Sequence, residues 1–94
     1  MPRFKVAHIK EQGADMIIIP LDHSFSSKTT QGQNEILNEL QVRASSAGLA
    51  GKVVPVWDNG GGRMAFMAPP NWHSFFNSIN LRFVFANINR ELYW

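Results

Sequence analysis

The sequence predicts an α+β fold in which a mostly antiparallel four-stranded sheet carries its helices packed on one face. Three observations lead to this prediction: two stretches with the pattern of a β-hairpin, a capped amphipathic helix between them, and an apolar tail with helical spacing. In chain order, these elements give ββαββαα. At 94 residues, the chain is expected to form a single small domain, residues 1–94, with one thin core.

The first predicted hairpin occupies the N-terminal fifth of the chain. Residues 3–10 alternate loosely, with Phe4 and Val6 on one face. Residues 11–15 have the composition of a turn. Residues 16–21 follow with three consecutive isoleucines, whose β-branched side chains suit a buried strand. The two strands therefore predict an antiparallel hairpin.

A helix is predicted over residues 31–47. Thr30 and Gln33 have the spacing of a capping box, in which each side chain binds the other residue's backbone N–H. Gly48 is suited to the left-handed residue that ends a helix. The apolar stripe that defines the helix consists of Ile36, Leu37, Leu40, Ala44 and Ala47.

A second hairpin is predicted from residues 52–68. Its first strand, 52–57, contains Pro55, which cannot donate to a ladder and so indicates an edge strand or a bulge. A glycine-rich turn over 58–62 leads into the return strand. After it, Asn71 is suited to cap a short helix. The apolar residues of that helix are Trp72, Phe75, Phe76 and Ile79.

The tail, residues 81–92, has two interpretations. Its aromatic and β-branched residues favour a strand, whereas its apolar spacing is that of a complete helical stripe, which we take as the stronger indicator. Asn80 is suited to cap this helix. A strand would instead give βαββαβ, a ferredoxin-like sandwich with an extra N-terminal strand. That alternative makes strand 16–21 central with both neighbouring positions filled, which leaves no place for the first strand.

Composition excludes several classes of protein. The chain is 45% apolar and 17% charged, as folded chains are, and its lack of Cys excludes disulfides, thiolate metal sites and cysteine nucleophiles. The net charge is only +2 and the basic residues are dispersed, which gives little support for phosphate binding. No apolar run approaches the roughly 20 residues that span a membrane. We therefore expect a soluble, cytoplasmic protein that does not bind membranes.

The predicted topology collects polar residues at one end of the sheet. The strands that end at residues 21 and 57 are joined by a crossover helix, so they run parallel and their carboxyl ends share one edge. The candidate ligand-binding residues there are Asp22, His23, Lys28, Trp57, Asp58 and Arg63. A carboxylate beside a histidine suits acid–base chemistry. Adjacent residues on an extended chain point to opposite faces, however, so loop hydrogen bonds are the favoured role of Asp22, and no catalytic residue is assigned.

Other ligands have less support in the sequence. His8, His23 and His73 lack the spacing of metal ligands, so neither a metal nor a cofactor is predicted. The turn 59–62 with Arg63 offers backbone amides to an anion, but it lacks the Gly-Lys-Ser/Thr ending of a phosphate loop, and a plain hairpin turn is favoured. Binding of single-stranded nucleic acid by exposed strand aromatics is a third possibility.

Aromatic residues concentrate in the C-terminal half, in a number that exceeds what one thin core can bury. Adjacent helical residues point about 100° apart, so the pairs Phe75–Phe76 and Val84–Phe85 leave apolar surface uncovered. Such a surplus suits a protein interface. The candidate interface residues are Trp72, Phe76, Phe83, Tyr93 and Trp94. The predicted function is a non-catalytic domain that binds protein, including itself. The alternative is a small-molecule or anion pocket at the Asp22/His23/Asp58 end, with or without enzymatic activity.

Overall fold

The computed structural model describes residues 3–11, 13–60 and 63–93. These residues form one mixed five-stranded sheet with the strand order β4-β3-β2-β1-β5. The strands are β1 (Arg3–Glu11), β2 (Ala14–Pro20), β3 (Lys52–Asp58), β4 (Met64–Phe66) and β5 (Arg90–Tyr93). The helices are α1 (Thr30–Ser46), α2 (His73–Ser78) and α3 (Leu81–Ala86), with short 3-10 helices at His23–Ser27 and Pro70–Trp72.

The predicted α+β class and both predicted hairpins are confirmed. β1 pairs antiparallel with β2, and β3 pairs antiparallel with β4. β2 and β3 run parallel, as a crossover through α1 requires, with Ile18 opposite Val54. The sheet has five strands rather than the four expected, because β5 adds to the outer edge of β1.

The helices lie on both faces of the sheet rather than on one. The side chains of β2 explain this, because Ile17 and Ile19 pack with α1 whereas Met16 and Ile18 pack with α2 and α3. A strand that is apolar on both faces must be covered on both faces to leave water. None of the described helices has the length and apolar content needed to cross a membrane.

The start of α1 differs from the predicted capping box by one residue. Thr29 is the N-cap, and its hydroxyl oxygen accepts the backbone N–H of Gly32 at 3.1 Å. The Gln33 side chain instead donates to the carbonyl of Phe25 at 3.0 Å, which ties the preceding 3-10 helix to α1. At the other end, Gly48 has φ +82°, so the predicted left-handed end is confirmed.

Pro55 lies inside the sheet rather than on an edge strand, because β3 has neighbours on both sides. It faces Ile19 in the parallel register, and its carbonyl accepts the N–H of Met67 at 3.2 Å. β4 ends at Phe66, so the strand beside Pro55 has already stopped. The proline therefore sits where the ladder on that side of β3 needs no donor.

The tail combines its two interpretations and matches neither in full. Asn80 caps α3, accepting the Phe83 N–H at 2.9 Å, as predicted. The helix then ends at Asn87, whose side chain donates to the Phe83 carbonyl at 2.8 Å. The chain continues as β5, which places Leu92 opposite Phe4 on β1. The spatial order and the parallel β2–β3 pair also differ from the ferredoxin-like alternative.

The return strand of the second hairpin is shorter than predicted, and the helix α2 has a different N-cap residue. The return strand covers Met64–Phe66 instead of residues 63–68. A 3-10 turn leads into α2, so Trp72 rather than Asn71 is its N-cap, and no side-chain hydrogen bond caps it.

Candidate functional site

The carboxyl ends of β2 and β3 share one edge of the sheet, as their parallel pairing requires. A depression of about 280 Å³ lies there, lined by His23, Ser26, Asp58, Asn59 and Gly60. The structure therefore brings two of the six candidate ligand-binding residues, His23 and Asp58, to the same concave surface.

Asp22 contacts His23 directly, which the extended-chain argument did not expect. The Asp22 Oδ1 atom lies 3.0 Å from His23 Nδ1, and the two side chains are 73% and 82% exposed. The reason is local, because Asp22 is the N-cap of the 3-10 helix and not a strand residue. The same Oδ1 atom accepts the Ser24 N–H at 3.1 Å. An exposed pair of this kind contributes little to stability, and Asp22 acts mainly as a cap.

Asp58 has a comparable local role in the turn between β3 and β4. Its Oδ1 atom accepts the Gly60 N–H at 2.9 Å. The N–H of Arg63 then donates to the Gly60 carbonyl at 3.2 Å and closes the turn. Both carboxylates at this end of the sheet therefore already accept backbone N–H groups, as loop-stabilising residues do.

The remaining candidates at this end do not line the depression. Trp57 is buried, and its ring packs edge-on against Phe25 with 5.1 Å between centroids. Its indole nitrogen is buried without a hydrogen-bond partner among the described residues. Lys28 and Arg63 are exposed. Within the described ranges, no group of three or more His, Asp or Glu side chains is placed to hold a metal ion.

The candidate interface residues occupy different environments. Phe76 belongs to the core, because it is fully buried and stacks on Phe66 with 5.2 Å between centroids. This burial removes it from the candidate interface. Trp72 is half-buried against the same core, and the half-buried Phe83 packs edge-on against Phe75 with 6.2 Å between centroids. The side chain of Tyr93 and all of Trp94 lie outside the described part of the chain.

Among the side chains that the structure describes, Phe85 is the Phe, Tyr or Trp residue that is exposed, and it was not among the candidates. It is 55% exposed on α3, whereas its neighbour Val84 is fully buried. A surface depression of about 720 Å³ extends from it to β5 and is lined by Lys5, Phe85, Ile88, Asn89, Arg90 and Glu91. The sequence indicated surplus apolar surface at Val84 and Phe85, since adjacent helical residues point about 100° apart, but it did not indicate which of the two is exposed.

The backbone of β5 is oriented by a side-chain amide. Asn89 accepts the His8 N–H at 2.9 Å and donates to the His8 carbonyl at 2.9 Å, so it continues the β1–β5 ladder ahead of Arg90, the first residue of β5. Peptide groups alternate in direction along a strand. Since the backbone N–H and C=O of His8 point toward β5, those of Val6 do too. The partner of Val6 is Arg90, whose N–H and C=O therefore point toward β1. The N–H and C=O of Glu91 therefore point away from the sheet.

Two surfaces thus differ in size and openness. The depression at the Asp22 end holds about 280 Å³ between exposed groups that already accept local hydrogen bonds, whereas the β5 side offers an edge strand beside an exposed aromatic ring. No protein-family model matches this sequence, and no curated protein and no solved structure matches it at a significant level.

Proposed function

We propose that this chain is a non-catalytic binding domain that associates with a second copy of itself through the edge of β5. The observation that carries the proposal is the position of β5 at the end of the sheet. The alternation along β5 directs the backbone N–H and C=O of Glu91 outward there. An edge strand of this kind is a template for another strand, since its outward N–H and C=O groups need partners.

The side chains beside β5 support pairing with an identical copy. Lys5 lies opposite Glu91 in the β1–β5 register, so these two charges offset each other within the chain. A second copy that approaches the edge therefore meets little repulsion. Phe85 supplies exposed apolar area next to the strand. Antiparallel pairing about a two-fold axis would bury both copies of Phe85 side by side or against the facing strand.

The same geometry gives less support to the two other functions. The aromatic Phe66 of β4 packs on Phe76 under α2, so it is not on an open sheet face where bases stack. The carboxylates of Asp22 and Asp58 already accept local backbone N–H groups, and of the two only Asp58 lines the depression. The cytoplasm is part of the proposal as the location, and it rests on the absence of Cys from the sequence.

The test measures solution mass by light scattering from micromolar to millimolar concentration, for the wild type and two variants. The wild type is expected to approach twice the monomer mass. Glu91→Pro removes an outward N–H without taking a donor from the β1–β5 ladder, so it is expected to stay monomeric and folded. Glu91→Ala keeps the N–H and is the matched control, which should still dimerise. A monomeric wild type, or a dimeric Glu91→Pro variant, would overturn the proposal.

A second pair of variants tests the apolar part of the surface. Within the described part of the chain, two large apolar side chains are more than half exposed, at 55% and 59%, and Phe85→Ser and Val42→Ser each remove one of them. Val42 lies on α1, away from the β5 depression. The dimer should weaken by about tenfold or more in Phe85→Ser, since a buried aromatic is worth several kcal/mol. Equal dissociation constants for the two variants would contradict a role of Phe85.

A further inference from the structure

A third concave surface lies at the edge of the sheet opposite β5, where β4 is shorter than β3. β4 ends at Phe66, but β3 extends back to Lys52 and leaves a gap beside its first residues. The gap forms a cleft of about 810 Å³ between α1 and the segment after β4. We call it the β3 notch, and its walls include Asn34, Leu37, Asn38, Lys52, Met67 and Pro69.

The backbone inside the notch is not a template for another strand. The Val53 N–H donates to the side-chain oxygen of Gln41 at 2.9 Å, and the Gln41 nitrogen donates to the Gly51 carbonyl at 3.1 Å. Pro55 has no N–H, and its carbonyl already accepts from Met67. Between Val53 and Pro55, the strand therefore has no N–H left to offer an added peptide. The occupant that fits is a small molecule and not a peptide strand.

The wall opposite α1 is held in place by packing and by a hydrogen bond. His73 donates through Nε2 to the Ala68 carbonyl at 2.9 Å, and its ring packs edge-on against Phe66 with 5.5 Å between centroids. The other wall is the helix α1, whose residues are fixed to β3 by Gln41. A site with both walls fixed requires little ordering when a ligand enters.

The chemistry of the lining points to an anion. Among the described residues that line the notch, Lys52 carries a formal positive charge and none is acidic. Asn34 and Asn38 lie one turn apart on α1 and each contributes an amide that donates hydrogen bonds. Apolar contact area comes from Met67 and Pro69. A concave surface with one sign of charge concentrates ligands of the opposite sign.

We propose that the β3 notch binds a small organic anion, with a carboxylate or phosphate group near Lys52 and the Asn amides. The apolar body of the ligand packs on Met67 and Pro69. A cleft of about 810 Å³ is within the size range of small-molecule sites. This site is separate from the β5 edge and does not depend on self-association.

Nuclear magnetic resonance titration tests the proposal, with benzoate, phenyl phosphate, inorganic phosphate and neutral benzyl alcohol as probes. The expected result is a saturable shift of the Asn34 and Asn38 side-chain amides with benzoate or phenyl phosphate. The stronger of these two probes identifies the anionic group. Benzyl alcohol and inorganic phosphate are each expected to bind at least about tenfold more weakly, since each lacks one half of the recognition. Equal binding of benzyl alcohol, or no saturable shift with either aromatic anion, overturns the proposal.

Two matched pairs of variants locate the site. Lys52→Gln is expected to weaken binding by about tenfold, whereas Lys28→Gln removes the same charge from an exposed position outside the notch and should leave binding unchanged. Asn38→Asp places a negative charge in the lining and should weaken binding by a similar factor. Asn77→Asp, on the exposed side of α2, is its control. If the members of either pair bind the anion equally, the notch is not the site.

Discussion

At both edges of the sheet, a side-chain amide binds backbone groups where strand pairing stops, but the two edges differ in the backbone groups left unpaired. At one edge β5 is shorter than β1, and Asn89 binds the N–H and C=O of His8 at the point where pairing stops. At the other edge β4 is shorter than β3, and Gln41 binds the Gly51 carbonyl and the Val53 N–H. In both places a side-chain amide supplies the donor and the acceptor that a strand residue would have supplied.

The difference between the edges lies in what remains after the amide is in place. Pro55 and Gln41 together leave no N–H to offer between Val53 and Pro55 of β3, so that edge becomes the wall of a cleft. On β5, the backbone N–H and C=O of Glu91 point away from the sheet. The partners proposed for the two edges differ accordingly, a small molecule beside β3 and a second strand beside β5.

The largest expected effect tests how the β3 edge is positioned. Gly51 has φ +116°, and a Cβ atom there would lie 2.5 Å from the backbone oxygen of Asp15. Gly51→Ala therefore combines an unfavourable backbone conformation with a backbone clash, and should lower the free energy of unfolding by about 3 kcal/mol or more. Urea denaturation measures this difference.

Gly48→Ala is the control for backbone conformation alone. Gly48 has φ +82°, and a Cβ atom there would have nothing within 4 Å. Its cost should be about 1–2 kcal/mol, the penalty of the left-handed conformation by itself. If the two variants unfold at the same urea concentration, the close approach of Gly51 to β2 does not constrain β3.

The next prediction compares the two amides directly. Gln41→Ala leaves the N–H of the buried residue Val53 without its acceptor and should cost about 2 kcal/mol. Asn89→Ala exposes His8 groups that water can reach, and should cost about 1 kcal/mol. Thermal unfolding of both variants gives the comparison. Gln31→Ala, at an exposed position of α1, is the control and should change stability by less than about 0.5 kcal/mol. A larger loss in Asn89→Ala than in Gln41→Ala would reverse the ranking of the edges.

The smallest expected effect concerns the helix that presents Phe85 beside β5. Asn80→Ala removes the acceptor of the Phe83 N–H and should cost about 1 kcal/mol, as the loss of an N-cap does. Asn71→Ala should cost close to nothing, because no side-chain hydrogen bond caps α2. Hydrogen exchange of the α3 amides should accelerate only in Asn80→Ala. Similar exchange in both variants would show that packing alone fixes α3.

The topology predicted which residues of the candidate site lie at the same edge of the sheet, but it did not predict the contacts between their side chains. The parallel carboxyl ends of β2 and β3 were expected to bring His23 and Asp58 to one surface, and they do. The contact of Asp22 with His23 depends on a 3-10 helix, which no residue pattern indicated. The burial of individual aromatic residues could not be predicted either. Phe76 and Phe85 are both apolar helix residues, and only packing decides that Phe76 is buried and Phe85 is exposed.

The sequence by itself determined the elements whose hydrogen bonds close locally. Turn glycines, the alternation of β1, the apolar stripe of α1 and the caps at Asn80 and Gly48 all act within a few residues, so the pattern carries the structure. Only the tertiary structure decided the fate of residues 90–93. Leu92 is buried against the core as part of β5, because the unpaired edge of β1 supplies backbone partners that exist only once the hairpin has folded. The helices on both faces have a different cause, because β2 carries apolar side chains on both faces and each face must be covered to exclude water.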